Sequence, residues 1–200
     1  MTKRIEFFFD FSSPYAYLAA QEVEALGSRQ DVEVVWRPFL LGASFKETGI
    51  PPLVQVPWKS DYASLDLARE ARRIGVPFVW PKPFPFMSVA AARAFYWLDA
   101  QDSGKAKTLA LALYHKAFGE GEDIAHAGQV VEVAASQGLD RDAVATALQD
   151  PAIKDKLRQA TDTAIERKVF GAPFVFVDDQ AFWGHDRLPQ VEQWLESGGW

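Results

Sequence analysis

An α/β domain interrupted by a long helical segment is the architecture that this 200-residue sequence predicts. Three observations carry it. A strand, a helix and a second strand are legible within residues 1–44. From residue 59 to residue 149, several helical patterns follow one another, broken by a proline-rich aromatic crossing. The chain closes with a long helix, two tightly alternating strands and a last helix.

Each element has its own warrant. "RIEFFFDF" is β-rich and apolar on both sides, as a buried central strand is. Ser13 stands where an N-cap belongs, and Pro14 takes the first helical position. Tyr15, Ala19, Val23 and Leu26 recur at helical spacing, and Gly27 is expected to stop that helix. "DVEVVWRPF" supplies a second strand over 32–36, closed by Pro38, which completes a right-handed crossover unit. The stretch 40–57, with its "GIPPLVQVP", reads as loop. Helical patterns follow over 59–74, 88–100, 105–118, 126–137 and 140–149, broken by the proline-rich aromatic crossing "PFVWPKPFPF". Asp150-Pro151 caps and opens a longer helix with Ile153, Leu157, Ala160, Ala164 and Ile165 as its apolar face and Gly171 as its stop. "PFVFV" is a strand, Asp178-Asp179 a turn and "AFW" the return strand. After Gly184, Leu188, Val191 and Leu195 mark one face of the final helix. A βαβ half joined to a ββα half describes a thioredoxin-like fold with a large all-helical insertion. Residues 1–44 and 160–200 form the discontinuous thioredoxin-like domain, and 45–159 the insertion.

Composition removes several functions. A formal charge of −6, with scattered basic residues, argues against a nucleic-acid partner. The absence of cysteine excludes a disulfide framework, a thiol nucleophile, a CxxC redox couple and a thiolate metal site. His115, His126 and His185 lack metal-ligand spacing, so no metal is expected. "MTKRIEFFFDF" lacks the apolar core and cleavage site of a secretory leader, and no run of about 18 apolar residues is present. A cytoplasmic protein with no membrane partner is the expectation.

Four places can carry chemistry. Ser13 heads a helix whose N-terminus bears partial positive charge and free N–H groups, so its hydroxyl is either an ordinary cap or part of an anion site. Ala172-Pro173 precedes a strand, where the bond is either cis with its backbone open to an extended peptide, or a plain trans strand start. In "FWGHDRL", Asp186 can cap the last helix or bind an ammonium, and His185 is a second polar group or an exposed loop residue. Lys59 lies near a helix start, where a cation is disfavoured unless an anion accompanies it. Asp66 and Arg69 on the same helix read as a solvated face, while Trp80, Phe84 and Phe86 wall either an aryl site or the core.

"FDFSSPYAYLA", "VPWKSDYASLDLAR" and above all "AIERKVFGAPFVFVDDQAFWGHDRL" resemble the 2-hydroxychromene-2-carboxylate isomerase family, within the kappa glutathione transferase and disulfide-oxidoreductase superfamily. The resemblance spans nearly the whole chain. It implies a glutathione-dependent isomerase of an aromatic-catabolism intermediate, acting on a conjugated carbonyl compound as a homodimer. Ser13 would then replace the cysteine of redox relatives and hydrogen-bond the cofactor's sulfur. Ala172 and cis-Pro173 would meet its cysteinyl backbone, and Trp183, Gly184, His185 and Asp186 its γ-glutamyl end. Lys59 and Phe84 would face the substrate. Two departures, Ile50 and Met87 where relatives often carry asparagine, bear on the substrate more than on glutathione. The alternatives are a transferase or peroxidase using glutathione on another electrophile, and a non-catalytic peptide-binding module.

Overall fold

The computed structural model describes residues 4–200; Met1, Thr2 and Lys3 of the N-terminal stretch lie outside the described residues. A mixed sheet in the order β2-β1-β3-β4 organises the chain. β1 (Arg4–Phe9) runs parallel to β2 (Glu33–Pro38) and antiparallel to β3 (Phe174–Val177), which pairs antiparallel with β4 (Gln180–Trp183). The helices are α1 (Pro14–Arg29), α2 (Leu41–Thr48), α3 (Lys59–Ile74), α4 (Val89–Asp99), α5 (Ser103–Tyr114), α6 (Ala127–Ser136), α7 (Arg141–Ala147), α8 (Pro151–Glu166) and α9 (Leu188–Ser197). Among the described residues no helix is long and apolar enough to cross a membrane.

β1 is buried on both faces because both are covered. On one face Phe7 and Phe9 pack with Trp36, and Phe9 meets Phe95 of α4 and Tyr114 of α5, so the insertion completes the core of the sheet. On the other face Phe8 packs with Phe39 and Phe176. Glu6 shares that second face, its side chain only 9% exposed, and accepts from Arg37 at 2.8 Å and Arg167 at 2.6 Å. The Arg167 guanidinium lies 3.9 Å from the centroid of the Phe176 ring, closing the polar group with a cation–π contact.

Burial by itself raises the Glu6 carboxyl, but the hydrogen bonds and charges of Arg167 and Arg37 outweigh it and hold the group below its ordinary 4.5. A depressed folded value means stability that is complete above the ordinary value and lost as pH falls through the folded one. Glu6→Gln is therefore expected to cost about 1–2 kcal/mol at neutral pH. It should also flatten the fall of the urea midpoint between neutral pH and acid that the wild type shows; an unchanged acid slope would remove Glu6 from this role.

Several boundaries differ from the sequence reading, each for a packing reason. Gly27 does not stop α1, which continues to Arg29. Gly27 is instead where β2 crosses closely: a Cβ there would run into Val34 Cγ2 and lie 2.9 Å from the Val32 carbonyl oxygen. The 40–57 stretch is not all loop, since it holds α2 and a short turn at Leu53–Gln55. The expected domain boundary at 44/45 thus falls inside α2, and that at 159/160 inside α8. The helix expected over 105–118 begins at Ser103, capped by Asp102, and widens into a π turn at His115–Gly119. The long α8 ends at Glu166, before Gly171, where Arg167 turns in to Glu6 and Lys168 takes φ 59°. Its buried positions are Leu157, Thr161 and Ala164, with Ile153 and Ile165 half-buried.

Candidate active site

Strand pairing brings three segments of the chain to one edge of the sheet. β3 runs against β1 with Phe174 opposite Phe8, so the residues before β3 meet the chain leaving β1. β4 runs against β3 with Trp183 opposite Phe174, so the residues after β4 arrive at the same edge. Two hydrogen bonds close the junction. Ser13 Oγ donates to the Ala172 carbonyl oxygen at 2.7 Å, and the Gly184 N–H donates to the Pro173 carbonyl at 3.1 Å. The Ala172–Pro173 peptide is cis.

Ser13 is the N-cap that its sequence position allows, and it makes one further bond across the sheet. Its φ and ψ of −95° and 113° are those of an N-cap, and its Oγ accepts from the Ala16 N–H at 3.2 Å. Its proton goes across to the proline segment, and the residue is 6% exposed. The loop beneath it is held by Asp10, a carboxylate 3% exposed. Oδ1 of Asp10 accepts from the Ser12 N–H at 2.7 Å and hydroxyl at 2.8 Å, and Oδ2 from the Leu41 N–H at 2.7 Å. The Asp10 carbonyl accepts from the Ser13 N–H and from the hydroxyl of Tyr114, each at 2.9 Å. Burial, with the Asp10 charge nearby, pushes the Tyr114 phenol well above its usual range, so Tyr114 stays a donor. Sequence reasoning missed Asp10 and Tyr114; Asp10 two residues before Ser12 is an Asx-turn signal, but nothing local marks Tyr114.

The "FWGHDRL" segment divides. Gly184 has φ 114°, a left-handed region that favours glycine, and this turns the chain from β4 into the short helical turn His185–Arg187. His185 is not an exposed loop residue: it is 4% exposed, stacks on Tyr15 with centroids 5.5 Å apart, and places Nε2 3.2 Å from Glu70 Oε2. Asp186 does not cap α9, whose N-terminal flank is Arg187 with no side-chain cap; its side chain is 59% exposed beside Arg187. Trp183 is 56% exposed and packs edge-on against Phe170.

α3 contributes more than a solvated face. Asp66 accepts from the Tyr15 hydroxyl at 3.0 Å and pairs with Arg69, which ties α3 to the head of α1. Burial, together with the Asp66 charge, raises the Tyr15 phenol, keeping its proton on this bond. Lys59 opens α3 exposed and in no ion pair among the described residues, so the structure shows no carboxylate beside it of the kind its position at a helix start suggested. Phe84 is half-buried among Trp80, Phe86 and Phe118, which places it in the aromatic core of the insertion. Phe118 in turn stacks on Tyr17 of α1, next to the site.

Two hollows flank α1. One of about 250 Å³ lies between α1, α3 and α9 and is lined by His185, Asp186, Glu70 and Arg73 among others. The other, about 260 Å³, opens at the far end of α1 around Glu24 and Lys107, away from Ser13. Of these two, only the first takes lining from the turn after β4, through His185 and Asp186; Ser13, Ala172 and Pro173 line neither.

Residues 4–196 match the family model described as DSBA-like thioredoxin domain. The chain belongs to that family. Within it, the chain is 34% identical over 197 residues to a 2-hydroxychromene-2-carboxylate isomerase of Sphingobium xenophagum, covering 98% of this chain and 99% of the relative. It is 30% identical to glutathione S-transferase kappa 2 of Caenorhabditis elegans, covering 96% and 92%. A solved 2-hydroxychromene-2-carboxylate isomerase superposes with a TM-score of 0.87 at 29% identity, covering 96% of this chain and 94% of that one. This DSBA-like protein therefore stands with the isomerase and kappa relatives, as the sequence motifs implied.

Proposed function

We infer that the protein is a glutathione-dependent isomerase of the 2-hydroxychromene-2-carboxylate type. The observation that carries this reading is the Ser13 hydroxyl at the head of α1, 2.7 Å from the Ala172 carbonyl, in a chain without a thiol of its own. The donor set fits a tripeptide thiol. Ala172 offers a backbone carbonyl at the start of a strand, the helix N-terminus offers partial positive charge, and the cleft beside His185 and Asp186 offers charged groups of both signs.

Glutathione, when bound, supplies a thiol able to add to a conjugated carbonyl and leave again, so that a double bond can change geometry without net oxidation. The chain's part is to hold that sulfur as an anion. Ser13 turns its Oγ proton from the Ala172 oxygen toward the sulfur, while α1 adds the field of its N-terminus. The Ala172 carbonyl has a second lone pair and stays an acceptor for a ligand amide. Lys59, exposed and unpaired among the described residues, is the cation for a substrate carboxylate or developing enolate. The half-buried Phe84 and Trp80 bound the apolar side of the substrate space, while Trp183 stands with Gly184, His185 and Asp186 for the γ-glutamyl end.

The kappa relative supports a second reading, transfer of glutathione to another electrophile. One experiment separates them. Glutathione is titrated in a thermal-denaturation assay, where a ligand at 100 times its dissociation constant adds about 2.7 kcal/mol. Turnover of 2-hydroxychromene-2-carboxylate is then compared with conjugate formation on a model electrophile. Stabilisation with isomerase turnover is the expected result. Conjugate accumulation without isomerisation would favour the transferase, and no stabilisation would remove both.

A further inference from the structure

Tyr15 lies two residues beyond Ser13 and stacks on His185, with ring centroids 5.5 Å apart and an interplanar angle of 24°. The imidazole is 4% exposed, and its Nε2 stands 3.2 Å from Glu70 Oε2 on α3. The same carboxylate oxygen accepts from Arg73 Nε at 2.7 Å. The Arg73 hydrogen bond, opposed by partial burial and aided by His185, holds Glu70 below the usual carboxylate range. An ionised carboxylate can only accept, so His185 must carry its proton on Nε2. In the neutral ring Nδ1 is then the acceptor.

We propose that Glu70 is a positioning residue that fixes His185 in its Nε2–H tautomer and so presents Nδ1 as an acceptor for an ammonium-bearing ligand end in the adjoining cleft. The cleft has the matching charge. Glu22, Glu70, Asp186 and Glu192 line it, with Arg29 on Glu192, Arg73 on Glu22 and Glu70, and Arg187 on Asp186, four carboxylates to three guanidiniums, a setting for an ammonium with a neighbouring carboxylate. The α-amino acid end of a γ-glutamyl group has that chemistry. For its ligand alone, the inference rests on the glutathione reading above. Its physical consequence is that α3, in the helical insertion, orients a group on the turn after β4, 115 residues further along the chain. A catalytic site built from the two halves of the sheet thus borrows its orientation from the insertion.

The test is the imidazole ¹⁵N spectrum of histidine-labelled protein at alkaline pH, with His185 assigned through His185→Gln, alongside glutathione binding by calorimetry. The wild type should show neutral His185 in the Nε2–H form alone. Glu70→Ala should populate both tautomers and raise the glutathione dissociation constant about five- to tenfold, with kcat at saturating glutathione little changed. Glu70→Gln keeps an acceptor oxygen and should fall between the two. A single unchanged tautomer in Glu70→Ala would overturn the proposal, as would mixed tautomers with a dissociation constant within about twofold of wild type. If the wild type binds no glutathione, the function proposed above fails and the ligand leaves this inference with it. The spectrum then decides separately whether Glu70 sets the ring.

Discussion

Ser13→Ala is expected to lower kcat for isomerisation, at saturating glutathione, by about a hundredfold. The size follows from what the hydroxyl would do. One preorganised donor aimed at a developing or resident anion in a shielded site is worth about 10²–10³ in rate, and Ser13 is 6% exposed at a helix N-terminus. Alanine leaves the field of α1 and the Ala172 carbonyl in place, so glutathione should still bind. The thiol's ionisation, followed by its ultraviolet absorbance against pH, should shift upward in the variant because the charged form has lost a donor. The substitution also removes the cap on the Ala16 N–H, for which a stability loss of about 1 kcal/mol is expected. That loss is too small to unfold the domain and is checked by denaturant titration. A rate within about twofold of wild type would mean that Ser13 is a cap and a crosslink to Ala172 and nothing more.

Much of the scaffold beneath that prediction is legible in the sequence because its causes are local. Pro14 after Ser13 and Pro151 after Asp150 mark helix starts by chemistry confined to a few residues, and both helices begin there. The unbroken apolar run of β1 announces a strand covered on both faces. The convergence of Ser13, Ala172 and Gly184 follows from the order and sense of the strands, so the βαβ and ββα halves already implied it.

What escaped notice has causes far away in sequence. The stretch that holds α2 reads as loop because the breakers of "GIPPLVQVP" dominate it; the first N–H of α2 is capped by Asp10, 31 residues earlier. Gly27 looks like a stop until β2 crosses over it, and a helix can keep a glycine where a neighbouring strand needs the space. Glu70 and His185 have no relation in sequence, and neither do Tyr15 and Asp66, yet each pair is a single polar contact in the fold. Charged residues on α3 therefore give the signature of a solvated face, although Asp66 reaches back to Tyr15 of α1 and Glu70 to His185 after β4. Asp186 shows the reverse error, a residue of the right type for a cap that lies inside the short turn His185–Arg187, one residue ahead of the position that flanks α9.

Asp10→Ala should be the most destabilising polar substitution at this edge of the sheet, by on the order of 3 kcal/mol. Three hydrogen bonds end on its carboxylate, and each is worth about 1 kcal/mol net, with a further cost where a donor is left buried without a partner. At this chain length the loss corresponds to a fall in Tm of roughly 6–12 °C. Asn is a poor substitute: it keeps one acceptor, but its amide nitrogen would face a donor, either the Leu41 N–H or the Ser12 pair. Asp10→Asn should therefore recover less than half of the loss. The consequence reaches the site because one carboxylate joins the chain entering α1 to the first turn of α2, while its own carbonyl holds the Ser13 N–H and Tyr114 of the insertion. With the carboxylate gone, Ser13 keeps its backbone bond but loses the fixed loop beneath it. Glutathione affinity should then fall in Asp10→Ala even below the melting transition. A variant whose Tm stays within about 2 °C of wild type would show that water replaces the carboxylate at little cost, and that the rigidity of Ser13 comes from Ala172 across the sheet.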